Sequence, residues 1–209
     1  MKQKLIVALA VAAALAAGSA SAQAGNIVDE WASVKAPPPP ALKPVTVDPK
    51  TTALLMLDYL PAPYCSPDPR CVASLPAMKQ LLAEARAHGV TVVYSVAGKY
   101  GPADIAKEVA PVGNEPLVKS KADKFLNTDL EKILKDKGIQ TVIVTGTAAN
   151  GAVLYTGSGA GVRGLKVIVP VDGLSAKDIY AEQLTVWQLA HGPGFGAQVT
   201  LTSSDMIKF

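Results

Sequence analysis

The sequence predicts an α/β fold with a doubly wound, mostly parallel sheet of five or six strands and helices on both faces. From Thr52 onward, short apolar runs alternate with longer stretches whose apolar residues recur at helical spacing. The short runs are apolar at consecutive positions, which is typical of strands that are buried on both faces. Strands and helices that alternate in this rhythm favour parallel pairing through crossover helices.

The elements of this domain, assigned to residues 52–209, follow from local signals. Gly89 and Gly138 come directly after two of the helical patterns, and glycine commonly ends a helix. Ligands of such sheets bind beyond the carboxyl ends of the strands. Strands are predicted over residues 53–57, 91–96, 141–145, 166–171 and 198–202, and helices over residues 72–88, 126–137, 152–162 and 180–191.

Residues 1–22 are predicted to be a cleaved signal peptide. Two lysines precede an apolar run over residues 5–17, and small-x-small patterns allow cleavage after Ala22 or Ala24. The run is shorter than the ~20 residues that a membrane-spanning helix needs. We therefore expect a periplasmic or secreted protein that has no membrane attachment after cleavage.

Residues 23–51 are predicted to form a proline-rich arm ahead of the domain. The prolines of residues 36–44 favour an extended polyproline II conformation and exclude a helix or a central strand there. Residues 26–34 are expected to add a short helix that packs on the domain or on a neighbouring subunit.

The charge balance argues against nucleic acid and anionic membranes as partners. The formal net charge of the chain is +3, and loss of the two lysines of the signal peptide lowers it to +1. The remaining length suffices for one domain with a proper core. We expect the partner to be a small-molecule ligand.

The two cysteines, Cys65 and Cys71, lie in a short loop braced by prolines. In an oxidising compartment this pattern is most simply a disulfide. The alternatives are a metal site, for which no nearby histidine exists, and a reactive Cys65.

The turn after the strand at residues 141–145 is the main candidate functional feature. It runs from Gly146 to Ala152, where a helix is predicted to begin, and such a junction presents N–H groups to an anion or a developing oxyanion. Asp58 follows another predicted strand, so both features lie at carboxyl ends and are expected to meet. A catalytic chain would be expected to carry a nucleophile at the helix start, and this one carries Ala152.

Residues 159–164 match the glycine spacing of a dinucleotide fingerprint, but the context is wrong. That fingerprint follows a strand and opens a helix, whereas these glycines lie late in a predicted helix and precede a strand. Close helix packing or a helix stop explains them better. No cofactor is predicted.

Three elements together resemble the isochorismatase-like (cysteine hydrolase) superfamily over most of residues 52–203. The first is the buried strand that ends in Asp58. The second is residues 115–130, where the family has a lysine ahead of a Phe, a Thr and a Leu. The third is residues 144–153, followed by Asp172 after the next strand.

The resemblance implies a site made of Asp58, Lys119 and position 152. Members of the superfamily typically use a triad of Asp, Lys and Cys. The Cys thiolate attacks a carbonyl, Asp takes the thiol proton and Lys supports the charges. Backbone N–H groups of Gly151 and Ala152 would hold the oxyanion. Because alanine has no lone pair and no acidic proton, covalent catalysis at residue 152 is excluded.

True isochorismatases resemble this chain in carrying a small residue in place of the cysteine. They cleave a vinyl ether, which needs proton delivery to carbon and then water, and this implies Asp58 as general acid. A nearby Lys119 favours the ionised carboxyl, whereas burial favours the protonated one. Tyr59, Asn150 and Tyr155 are the candidate pocket residues.

Three functional hypotheses follow from the resemblance. The chain is an exported hydrolase that acts on a small metabolite without a thiol, or an inactive pseudoenzyme that binds a ligand in the inherited pocket, or a cysteine hydrolase whose Cys was replaced by Ala. The nicotinamidase branch binds metal through an Asp and two His, and with only His88 and His191 present no metal site is predicted. A homo-oligomer is expected, because the family commonly assembles through helix faces.

Overall fold

The computed structural model describes residues 25–209, which divide into a short N-terminal unit ending at Pro38 and a domain that begins at Pro39. The predicted signal peptide lies outside the described residues. Each unit is described by itself.

The N-terminal unit contains one short helix, α1 (Ile27–Glu30), followed by a 3₁₀ turn over Trp31–Ser33. The side chain of Asn26 accepts hydrogen bonds from the N–H groups of Val28 and Asp29 and so caps the helix. The predicted helix over residues 26–34 is therefore present, but only its first turn is α-helical.

The domain alternates strands and helices as the sequence predicts. Its elements in chain order are β1 (Val45–Thr46), β2 (Thr52–Leu57), α2 (Pro69–Ala87), β3 (Thr91–Val96), β4 (Leu117–Lys119), α3 (Leu130–Asp136), β5 (Thr141–Thr147), α4 (Leu154–Val162), β6 (Lys166–Pro170), β7 (Leu174–Ser175), α5 (Ile179–His191), β8 (Val199–Thr202) and β9 (Ile207–Lys208).

The main sheet has seven strands and is parallel throughout. Six of them lie in the order β4-β3-β2-β5-β6-β8, and β7 pairs with the end of β5. The register between the two central strands runs from Thr52↔Thr141 to Leu57↔Gly146. This register puts Asp58 and the turn after β5 side by side at the carboxyl edge. Strands β1 and β9 form a separate parallel pair.

Helices cover both faces of the sheet, as predicted. Alternate residues of β2 point to opposite sides: Leu54 and Met56 pack with α2, whereas Ala53, Leu55 and Leu57 pack with α3, α4 and α5. The residues on both sides of β2 are buried, which explains why residues 53–57 are apolar without interruption.

The short strands β4 and β7 are the elements that the sequence pattern misses. β4 has three residues and follows a proline, and β7 has two. Neither is long enough to produce a periodic signal. Helix α2 starts earlier than predicted because the Asp68 side chain caps it by accepting from the N–H groups of Arg70 and Cys71.

The disulfide between Cys65 and Cys71 is present, with the two Cα atoms 5.1 Å apart. It joins the loop after β2 to the first turn of α2.

Gly161 of the rejected dinucleotide motif packs tightly, since a Cβ there would lie 2.8 Å from Cβ of Phe195. No helix within residues 25–209 combines the length and the apolar character needed to cross a bilayer.

Candidate active site

Asp58 occupies the first position after β2 in a conformation that few side chains adopt. Its φ angle is 53°, in the left-handed region, where Asp is among the better tolerated non-glycine residues. The carbonyl of Asp58 accepts a 2.7 Å hydrogen bond from the N–H of Leu60, so the chain turns sharply here. The turn directs the carboxylate inward, and only 2% of the residue is exposed.

Two side chains bind the carboxylate of Asp58. The hydroxyl of Ser95, at the end of β3, donates to Oδ1 over 2.7 Å, and the ammonium group of Lys124 donates to Oδ2 over 2.6 Å. Lys124 is completely buried, and its Nζ atom also donates to the carbonyls of Lys121 (2.6 Å) and Ser120 (3.3 Å). The buried charges are thus paired and hydrogen-bonded, which such a pair requires.

The lysine at the site is Lys124, and the expected pairing of Asp58 with Lys119 is corrected. Lys119 is the last residue of β4 and its side chain is exposed. The chain turns after β4, and Lys124 is the residue that this turn brings to Asp58. The sequence carries no signal that separates the two lysines, because both precede Phe125.

Gly146 allows the end of β5 to approach the end of β2. Its φ angle is +135°, and a Cβ atom there would lie 2.1 Å from the carbonyl oxygen of Leu57. Only glycine fits this contact. The peptide bond between Thr147 and Ala148, which follows, is cis.

The turn after β5 leads into a helical segment over Ala149–Val153 with π-type hydrogen bonding. Ala152 lies in this segment and is 4% exposed. The N–H of Gly151 donates to the carbonyl of Ala148 over 2.9 Å. That donor is engaged within the turn, so the expectation that Gly151 offers a free N–H to an anion is corrected.

Lys124 also connects the site to α4. Its backbone N–H donates to the hydroxyl of Thr156 over 3.2 Å, and Thr156 lies one turn after Ala152 on the same side of the helix. One residue therefore contacts both Asp58 and the beginning of α4. The structure brings together Asp58, Lys124, Ser95 and the segment that carries Ala152.

The three candidate pocket residues lie in different environments. Tyr59 is buried, and its hydroxyl donates to the carbonyl of Gly173 over 3.1 Å, so it is a core residue and its assignment to the pocket is corrected. Asn150 is exposed, and Tyr155 is 56% exposed on the outside of α4. Neither side chain is enclosed with Asp58.

Burial raises the pKa of the Asp58 carboxyl above its usual value of 3.8. The positive charge of Lys124 and the hydrogen bonds from Lys124 and Ser95 act in the opposite direction, but desolvation of the charged form is the larger effect. The carboxyl therefore holds its proton to higher pH than an exposed aspartate does.

The domain model for the isochorismatase domain matches residues 52–204, which is most of the chain. The chain belongs to the isochorismatase family. A curated relative, the uncharacterised isochorismatase family protein YaaI of Bacillus subtilis (strain 168), is 32% identical over 74 residues. That match covers 35% of this chain and 41% of the relative, so it spans well under half of either protein.

Several solved structures share the fold. An isochorismatase family protein from Desulfovibrio vulgaris superposes with a TM-score of 0.65 at 20% identity, over 74% of this chain and 95% of that one. A cysteine hydrolase from Pseudomonas syringae gives 0.68 at 20% identity, over 80% and 95%. N-carbamoylsarcosine amidase from Thermoplasma acidophilum gives 0.64 at 21% identity, over 74% and 97%.

Proposed function

We propose that this member of the isochorismatase family is exported and hydrolyses a small metabolite that carries a vinyl ether, without a thiol nucleophile. Asp58 is the general acid and base, and Lys124 is its electrostatic partner. The observation that carries the proposal is the buried Asp58 with a raised pKa, whose partner Lys124 also binds Thr156, one turn after Ala152.

The reaction matches what these side chains can do. The Asp58 carboxyl gives its proton to the terminal carbon of the vinyl ether, and the cation that forms is captured by water. The water proton returns to Asp58, and the adduct breaks into an alcohol and a ketone. Lys124 stabilises the carboxylate that exists between the two proton transfers. No step needs an attacking side chain.

A second function, ligand binding without turnover, is favoured by the saturation of the ion pair. Both oxygens of Asp58 accept hydrogen bonds from the protein, and Nζ of Lys124 has three acceptors. A buried ion pair whose hydrogen bonds are all satisfied can also have a purely structural role. The two functions differ in whether Asp58 ever transfers its proton.

We propose that the protein is a periplasmic or secreted homo-oligomer and that its partner is a small molecule. The exposed apolar face of α5 is consistent with assembly, since Tyr180, Leu184 and Trp187 recur at helical spacing on its surface. Size measurement of the purified protein by light scattering tests this part of the proposal separately.

The test of the reaction uses isochorismate as the probe and pyruvate release, coupled to lactate dehydrogenase, as the readout. We expect the wild-type chain to release pyruvate and Asp58→Asn to reduce the rate by about 10²-fold or more, the usual contribution of a general acid. Asp136→Asn removes an exposed carboxylate on α3 and serves as the control. Thermal stabilisation by isochorismate without pyruvate release would instead support ligand binding.

A further inference from the structure

We propose that Tyr64 is a ligand-binding residue of the Asp58 site, and that its hydroxyl selects ligands that present a carboxylate. The inference rests on the proposed function, because it assumes that a small molecule reaches Asp58. Tyr64 belongs to the loop between β2 and α2 and directly precedes Cys65, which the disulfide joins to α2.

Tyr64 lies across the carboxyl ends of three adjacent strands. It follows β2 in the chain, and its carbonyl oxygen accepts a 3.3 Å hydrogen bond from the hydroxyl of Thr147 at the end of β5. On the other side, its own hydroxyl lies 3.4 Å from the place where a Cβ on Gly98, just beyond β3, would be. Because β2 lies between β3 and β5, Tyr64 spans the edge at which Asp58 is located.

The ring of Tyr64 packs against Tyr100, and its backbone is anchored through the neighbouring Cys65. The ring of Tyr100 meets it edge to face, with centroids 5.9 Å apart and planes at 82°, and the Tyr100 hydroxyl donates to the carbonyl of Ala62. The next residue, Cys65, is joined to Cys71 of α2 and donates its N–H to Leu60 over 2.8 Å. A ring fixed in this way loses little freedom when a ligand binds.

The Tyr64 hydroxyl is available to a ligand. No hydrogen-bond partner for it occurs among residues 25–209. Burial, the charge of Asp58 and the neighbouring Tyr100 all raise the pKa of the phenol, in that order of importance. The group therefore stays protonated at neutral pH and can donate a hydrogen bond to a ligand oxygen, such as that of a carboxylate.

The rim next to Tyr64 carries a positive charge that favours an anion. The ammonium group of Lys99 lies 5.7 Å from the centre of the Tyr100 ring. Lys124, in contrast, is neutralised by Asp58. A hydrogen bond from a phenol to an ionised acceptor is stronger than one to a neutral amide. This favours carboxylate ligands over their amides.

The test introduces a reporter thiol by Ala152→Cys and measures its alkylation in the full chain by iodoacetate and by iodoacetamide. These reagents differ only in a carboxylate and an amide, and the native cysteines are joined in the disulfide. In this background, Tyr64→Phe is expected to lower the rate with iodoacetate about tenfold and to leave that with iodoacetamide within about twofold, since one charged hydrogen bond is lost. Tyr180→Phe, an exposed tyrosine on α5, is the matched control.

Two further variants test the positive charge of Lys99 and the disulfide that anchors the loop of Tyr64. Lys99→Gln is expected to reduce the iodoacetate rate selectively. The double variant Cys65→Ser, Cys71→Ser is expected to lose the discrimination between the reagents although Tyr64 is kept. Equal effects of Tyr64→Phe on both reagents, or none, would overturn the inference. Because alkylation needs no turnover, a failure to hydrolyse isochorismate refutes only the proposed reaction.

Discussion

The ammonium nitrogen of Lys124 lies 2.6 Å from Oδ2 of Asp58, and both side chains are almost completely removed from solvent. The pair joins the end of β2 to the turn that precedes α3, two parts of the chain that are 66 residues apart. Its energetic and chemical consequences are open to direct measurement.

Lys124→Met is expected to lower the free energy of unfolding by about 3–5 kcal/mol, because it leaves the Asp58 carboxylate buried without its counter-charge. Urea denaturation followed by circular dichroism measures the loss. The matched control is Lys119→Met, at the exposed end of β4, which is expected to change the free energy of unfolding by less than about 0.5 kcal/mol. Similar losses in the two variants would contradict the assignment of Lys124 as the partner.

Much of the sheet could be predicted from the sequence, because its central strands are long and contain runs of consecutive apolar residues. The order of β2, β3 and β5, however, follows from the crossovers, and the short β4 and β7 carry no periodic signal. These strands pair only because neighbouring strands already present an edge to them.

The candidate site was predictable in part. Asp58 could be found because a strand that ends in a carboxylate is a local feature. The choice between Lys119 and Lys124 depends on how the chain turns between residues 120 and 124, which no local pattern determines. Ser95 was missed for a related reason: it lies inside an apolar strand, and only the pairing of β2 with β3 brings it to Asp58.

Gly146→Ala is expected to destabilise the domain by more than the cost of a positive φ angle alone. The new methyl group would lie 2.1 Å from the Leu57 carbonyl oxygen, so β5 must move away from β2. Gly113→Ala is the control, because Gly113 also has a positive φ angle (57°) but open space around it. We expect the control to lower the free energy of unfolding by about 1 kcal/mol. Thermal or urea unfolding measures both variants, and equal losses would contradict this account.

The raised pKa of Asp58 predicts how stability depends on pH. Folding raises the pKa above 3.8, so this group contributes stability below that pH and loses the contribution as the pH rises through the folded-state pKa. The free energy of unfolding of the wild type, relative to that of Asp58→Asn, is therefore expected to fall as the pH rises from 3.8 through the folded-state pKa of Asp58. Urea titrations of both proteins across this range measure the difference. A relative gain in stability with rising pH would mean that the ion pair outweighs desolvation.

Ala152→Cys is expected to create amidase activity, because the substitution supplies a nucleophile next to a carboxylate that can accept its proton. Asp58 and Lys124 are already in place, and a positioned base commonly contributes about 10²–10⁴-fold. Ammonia release from N-carbamoylsarcosine and from nicotinamide is the measurement. Ala160→Cys places a thiol in the buried part of α4 two turns further on and is the control. Activity in both variants would point to a non-specific thiol reaction, whereas activity in neither would mean that more than the nucleophile separates this chain from the cysteine hydrolases.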